Sequence, residues 1–289
     1  MKKTTRRTAV PSSRAVASEL KRLGRPLLRW AGSKRQLVPV LLNTVPKGYK
    51  RYVEPFAGSA ALFFALQPAS ALIADTNCEL INFYKVFRRK PTEVLQVVAN
   101  TPKTKRAYYS LREVSPDSLS SVDRASRFFL LNRLCFNGVY RLNKLGHFNV
   151  PMGSKIPPLP QSQDLLRYAY LLRQARIQCS DFSETIASCG EGDFVYADPP
   201  YYGARHRGEY GIHQFSDKDL DRLVVALKGA AKRGARVALS YADSNGLRQR
   251  MSGWYEHRVA IRRTVAASTA SRAPGFEMLF TSFKTARSC

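Results

Sequence analysis

Apolar positions along this chain fall into two rhythms. From Arg51 a short apolar run, Tyr52-Val-Glu-Pro-Phe56, gives way to Ala57-Gly58-Ser59 and then to Ala60-Ala-Leu-Phe-Phe-Ala-Leu66. A second short run, Ser70-Ala-Leu-Ile-Ala74, ends on Asp75. Strand, glycine turn, helix and strand make a βαβ unit, and an acid closing its second strand is the arrangement that holds a nucleoside in doubly wound sheets. Residues 80 to 175 read differently, with helical periodicity, many aromatics and interleaved basic side chains. Arg124-Ala-Ser-Arg-Phe-Phe-Leu-Leu-Asn132 has the spacing of an amphipathic helix. The stretch from Arg133 to Gly153 is rich in Asn, Gly and Arg and predicts a structured loop or hairpin, while Pro157, Pro158 and Pro160 mark an extended boundary. Strand signals resume at Arg176-Ile-Gln-Cys179, Phe194-Val-Tyr-Ala197, Arg236-Val-Ala-Leu-Ser240 and Glu277-Met-Leu-Phe-Thr281. Ser216-Asp-Lys-Asp219 has the form of a capping box opening a helix to about Lys232. The pattern predicts an α/β fold whose doubly wound sheet is interrupted by a mainly helical insertion at residues 86–164. The sheet domain takes residues 23–85 and 165–289.

Composition points to the partner. With 47 Lys plus Arg against 21 Asp plus Glu, the formal charge of the 289 residues is +26, which calls for a polyanion. Nucleic acid is preferred to an anionic membrane, because no apolar stretch reaches spanning length and no apolar signal segment opens the chain. The expectation is a soluble, unprocessed, cytoplasmic protein with a basic N-terminal arm at residues 1–22. Five cysteines, odd in number and scattered, suit a reducing compartment with no disulfide framework and no CxxC metal pair. No metal is expected.

The chemistry concentrates at Asp198, Pro199, Pro200 and Tyr201, which close the apolar run Asp193-Phe-Val-Tyr-Ala197. A carboxylate, two rigid prolines and an aromatic ring at a strand end suit alkylation of an amino group conjugated to a heteroaromatic ring. Such an amine is a poor nucleophile, because its lone pair is delocalised. Asp198 accepting one amino hydrogen and a proline-pair carbonyl accepting the other favour the pyramidal nitrogen of the transition state. Proline brings no competing amide donor, and Tyr201 offers a surface on which the base stacks.

In order, five blocks of the chain resemble the Dam-type DNA adenine methyltransferases: Trp30-Ala-Gly-Ser-Lys34, Val53-Glu-Pro-Phe-Ala-Gly58, Ala74-Asp-Thr-Asn77, Leu131-Asn-Arg-Leu-Cys-Phe-Asn-Gly138 with Phe148-Asn-Val-Pro151, and Tyr196-Ala-Asp-Pro-Pro-Tyr201. Each block is weak alone, but five in order across residues 25 to 285 are specific. The resemblance implies a Rossmann-like methyltransferase sheet, S-adenosyl-L-methionine as cofactor and double-stranded DNA as substrate, with a cognate restriction endonuclease as a possible partner. It assigns the cofactor to Trp30, Lys34, Glu54, Phe56, Gly58, Asp75, Asp181, Phe182 and Asp198. Within that set, Asp75 is expected on the ribose, Asp181 and Phe182 at the adenine, and Lys34 at the methionine carboxylate. One position departs from the pattern: relatives often place a second glycine where this chain has Ala60. A target adenine must leave the duplex to reach strand ends. Phe136 and Asn137 are expected to enter the vacated stack, Arg133 and Arg141 to contact phosphate or base edges, Arg29 to read a base, and Pro151 to close the segment. Lys155 departs from Dam, so no particular target sequence is implied.

Other chemistries lack their residues. No cysteine follows a proline, so the nucleophile for methylating cytosine carbon 5 is missing. His147, His206, His213 and His257 form no zinc-hydrolase or deaminase pattern, and Gly32-Ser-Lys34 lacks the spacing of a phosphate-binding loop. Methylation of the cytosine 4-amino group, of RNA adenine, or an inactive DNA-binding role remain the alternatives.

Overall fold

The computed structural model describes residues 26–201, 215–261 and 275–285, so the basic arm lies outside the described residues. Seven strands form one sheet: β1 Arg51–Glu54, β2 Ala71–Asp75, β3 Ala175–Cys179, β4 Asp193–Ala197, β5 Arg236–Ala242, β6 Tyr255–Ile261 and β7 Gly275–Thr281. Their order is β3-β2-β1-β4-β5-β7-β6, with the first five parallel and β7 antiparallel to both of its neighbours. The chain runs outward from β1 to β3 and then returns to β4 on the other side of β1. That reversal opens a crevice at the carboxyl ends of β1 and β4, the ordinary ligand site of such sheets.

The helices are α1 Val38–Thr44, α2 Ala61–Leu66, α3 Cys78–Arg89, α4 Pro91–Asn100, α5 Lys105–Glu113, α6 Ser121–Leu134, α7 Ser162–Leu172, α8 Phe182–Ala187, α9 Asp217–Lys232 and α10 Asn245–Arg250. Alternation along the strands explains why there are two apolar layers. Tyr52, Ile73, Phe194, Tyr196 and Leu279 pack with α1, α2, α3 and α7, whereas Val53, Leu72, Val195, Leu239 and Phe280 pack with α8, α9 and α10. The helices of the insertion share the first layer. Phe83 of α3 stacks within 5.7 Å of Phe128 and 5.6 Å of Phe129 of α6, so one apolar mass supports the sheet and the helical region alike. Helix α9 opens with the expected capping box, each of Ser216 and Asp219 accepting from the other's backbone amide. The expected loop is present at residues 135–153, after α6 takes in Arg133 and Leu134, and is held by isolated antiparallel bridges between Cys135 and Met152 and between Leu142 and Phe148.

The cysteine reading requires a correction. Cys78 and Cys179 form a disulfide. Strands β2 and β3 are neighbours with Asp75 opposite Cys179, which brings the first residue of α3 alongside, but a sequence separation of 101 hides that adjacency in the sequence. Cys135 and Cys189 are free and buried.

Candidate active site

Every residue of β4 is buried, and the chain leaves the sheet through Asp198-Pro-Pro-Tyr201. Asp198 Oδ1 accepts a hydrogen bond from Ser240 Oγ of β5 at 2.9 Å and pairs with Lys34 Nζ at 2.9 Å. Ser240 has one proton, which goes to Asp198, so the Tyr196 hydroxyl 2.9 Å away donates to Ser240 Oγ. Burial raises the pKa of Asp198, while Lys34 and Ser240 pull it back. Lys34 opens a 3-10 turn, Lys34–Gln36, and its ammonium donates to Gly32 O at 3.0 Å. The same ammonium lies 3.8 Å from Glu277 Oε1 and 4.8 Å from the centre of the Tyr201 ring, which packs on Tyr241. The ammonium expected to meet a cofactor carboxylate thus stands between two protein carboxylates.

On the other side of the crevice a glycine turn closes on a strand-end acid. Gly58 has φ +45°, and a Cβ there would lie 2.9 Å from Trp30 Nε1. Only a residue without a side chain passes beneath that indole. Gly58 N donates to Asp75 Oδ2 at 3.0 Å, Asn77 N donates to Oδ1 at 2.9 Å, and the Tyr84 hydroxyl donates to Gly58 O at 2.7 Å. Burial raises the Asp75 pKa, and the backbone donors from Asn77 and Gly58 lower it. Thr76 is a further backbone donor to it, and a carboxylate with about four acceptor sites keeps capacity for a hydroxyl group. Ala60 is fully buried in the left-handed region at φ +50°, a conformation that favours glycine. Glu54 is buried and accepts from the Tyr52 hydroxyl at 2.9 Å, and its burial pushes its pKa well above the ordinary value. Phe56 stacks on Phe182 with ring centres 5.3 Å apart. Asp181 caps α8 by accepting from Ser183 N at 2.9 Å and pairs with Arg222 at 2.8 Å.

The loop after α6 divides its expected contacts. Arg133 is a correction: at 1% exposure it is interior, donating Nη1 to Pro26 O and Nη2 to Pro158 O, each at 3.0 Å. It ties two extended segments to α6 and has no reach to phosphate. Arg29 also turns inward, donating Nη1 to Arg133 O at 3.0 Å and to Cys135 O at 2.9 Å, so it caps the carbonyl end of α6 instead of presenting a fork to a base. Phe136 and Asn137 are exposed. Gly138 explains why: at φ +68° its missing Cβ would sit 2.4 Å from Arg29 Cβ, and the tight turn pushes the two preceding side chains outward. Pro151 is exposed and its carbonyl accepts from Phe136 N at 2.9 Å, while half-buried Arg141 donates Nε to Asn149 Oδ1 at 2.8 Å. Sequence reasoning missed Ser240, Glu277 and Tyr84. For Glu277 a signal existed, a lone acid inside the apolar strand Phe276-Glu-Met-Leu-Phe280.

A sheet reversing between β1 and β4, a glycine turn closed on a strand-end acid and a lysine-paired Asp-Pro-Pro-Tyr corner define a doubly wound methyltransferase. The chain belongs to the D12 class N6 adenine-specific DNA methyltransferase family, whose model matches residues 30–265. It is 33% identical over 271 residues to the Type II methyltransferase M1.LlaDCHI of Lactococcus lactis subsp. cremoris, covering 90% of this chain and 95% of that protein. It is 32% identical over 261 residues to the Retron Ec67 DNA adenine methylase of Escherichia coli, covering 88% and 90%. The DNA adenine methylase of Escherichia coli K12 is 29% identical over 266 residues, covering 88% and 94%. The chain is an adenine-specific DNA methyltransferase.

Proposed function

We propose that the chain uses S-adenosylmethionine and that Asp198, Pro199, Pro200 and Tyr201 carry the transfer to the 6-amino group of a flipped-out adenine. The observation that carries this reading is the Asp198 carboxylate, fixed through Oδ1 by Lys34 and Ser240 at the crevice where the sheet reverses. When bound, the cofactor supplies an electrophilic methyl group on a sulfonium. The residues present fit it. Gly58 lets the turn run against the Trp30 indole where a Cβ would clash, Asp75 is a strand-end acceptor for ribose hydroxyls, and Phe56 with Phe182 offers an apolar wall for an adenine. Glu54, buried at the end of β1, and Asp181, which caps α8 beside Phe182, complete the set proposed to hold the cofactor. Asp198 accepts one hydrogen of the target amine and a carbonyl of the proline pair accepts the other, drawing the nitrogen lone pair out of conjugation. Tyr201 stacks on the base.

On the DNA side, Phe136 and Asn137 fill the vacated stack and Arg141 reads a base edge or phosphate, with the segment closed at Pro151. In the assay, Asp198→Ala is expected to abolish methyl transfer, with cofactor affinity reduced less than about tenfold, because the carboxylate acts chiefly in the transition state. Single-turnover transfer from radiolabelled cofactor to DNA, with calorimetry of cofactor binding, measures both. A variant keeping more than about a tenth of the parent rate, about 1.4 kcal/mol of barrier or less, contradicts the assignment.

A further inference from the structure

The last strand of the sheet brings a second acid to this site. Glu277 on β7 is 9% exposed and lies on the same strand face as Leu279, a core residue. Its Oε1 is 3.8 Å from Lys34 Nζ, which sits 2.9 Å from Asp198. Among the described residues neither Glu277 Oε2 nor the neighbouring Tyr201 hydroxyl has an aligned hydrogen-bond partner, although the two groups interact electrostatically. The small space on the other side of Glu277 is lined by Leu37, Val40, Leu41, Val259, Met278 and Leu279, with Ser240 its one further polar side chain. A carboxylate in such surroundings is expensive to keep, and an apolar residue of similar volume would serve the strand better. Lys34 is the only cation described beside it, and the same ammonium is the one paired with Asp198.

We propose that Glu277 is a positioning residue that holds the Lys34 ammonium against Asp198, keeping that carboxylate ionised and fixed for the target amine. This rests on the reading that Asp198 accepts from that amine. The charged and titratable groups facing Asp198 are Lys34, Glu277, Tyr201, Tyr196 and Glu54. Two effects of removing Glu277 oppose each other. Loss of its charge alone would ease ionisation of Asp198, whereas release of Lys34 would hinder it. The shorter Lys34 contact makes the second effect dominate.

The test uses the full chain. In Glu277→Ala, single-turnover methyl transfer at saturating cofactor and DNA is expected to fall at least about tenfold, with cofactor affinity within about threefold. The acid limb of its pH–rate profile is expected at higher pH than in the parent. Glu277→Gln keeps an acceptor for Lys34 and should recover part of the rate, and it carries the same readouts if the alanine variant fails to fold. A limb that stays put or moves to lower pH, or an unchanged rate, overturns the proposal. A second readout needs no substrate. Acylation of Lys34 in the free protein, followed by peptide mass spectrometry, should rise several-fold in both variants, and unchanged labelling overturns the proposal. If the parent protein transfers no methyl group to DNA, the reading of Asp198 falls, while the labelling still decides whether Glu277 holds Lys34.

Discussion

At Asp198 the surrounding influences have opposite signs, since burial favours the protonated acid and the Lys34 ammonium favours the carboxylate. The balance leaves its pKa above the ordinary value of 3.8, so methyl transfer should fail on the acid side at a higher pH than an exposed aspartate would give. Lys34→Met removes the stabilising charge and is expected to push that limb further up, measured as single-turnover rate against pH. An unshifted limb would separate Lys34 from the charge of Asp198. Glu54 gives a stability counterpart. Its pKa in the folded chain lies well above 4.5, so folding takes up a proton there. Stability from this group is full below its unfolded pKa and is lost as pH rises through the folded one. Glu54→Gln retains an acceptor for the Tyr52 hydroxyl and cannot ionise. Its melting temperature should therefore exceed the parent's at pH 8, with the difference vanishing near pH 4. Melting curves in which the two proteins run parallel across that range would contradict the assignment.

Elements decide which residues a loop can present. In the turn after α6, Phe136→Ala removes an exposed ring and should leave thermal stability within about 0.5 kcal/mol. It should also abolish the fluorescence rise of 2-aminopurine placed at the target. Gly138→Ala forces a Cβ against Arg29 and should destabilise the protein by about 1–3 kcal/mol, seen in denaturant unfolding. If Phe136→Ala flips normally, the turn does not enter the stack. Much of the sheet domain was legible in the sequence: the four later strand signals lie within β3, β4, β5 and β7, and the βαβ unit and the capping box of α9 overlap the observed elements, differing only at their ends. Periodicity reports burial, and these segments are buried. Strand β6, Tyr-Glu-His-Arg-Val-Ala-Ile, escaped because it is the sheet edge and its polar residues face outward. Arg133 failed differently. The sequence puts it at the head of an Asn-, Gly- and Arg-rich loop, whereas α6 runs on to Leu134, and the meeting of Pro26 and Pro158 over α6 supplies the carbonyls that accept it. Asp198, Gly58 and Asp75 were legible because close backbone approach and strand-end acids leave local marks. Ser240 was not, because its partner Asp198 lies beyond the end of another strand, and Glu277 showed only as a lone acid in an apolar strand, with its partner Lys34 far away in the chain. Cys78 and Cys179 were hidden by the same cause.

Across the whole molecule, the +26 charge and the crevice at the strand ends belong to one problem, bringing a polyanion to a buried amine site. Basic side chains that meet phosphate make binding fall with salt at a slope of about −0.9 per contact on duplex DNA. Arg133→Ala, interior as it is, should lower stability and leave that slope unchanged, whereas an outward base in contact with phosphate would reduce it by about one. Anisotropy titrations over a salt series distinguish the two. The central claim is that Asp198 serves the methylation of adenine in DNA. Nucleoside mass spectrometry of plasmid DNA from a methylation-free host, expressing either the parent chain or Asp198→Ala, tests it most directly. N6-methyladenine is expected with the parent and none with the variant. Methyl groups on the 4-amino group of cytosine, unmodified DNA from a folded and cofactor-binding parent, or equal modification by both chains would contradict it.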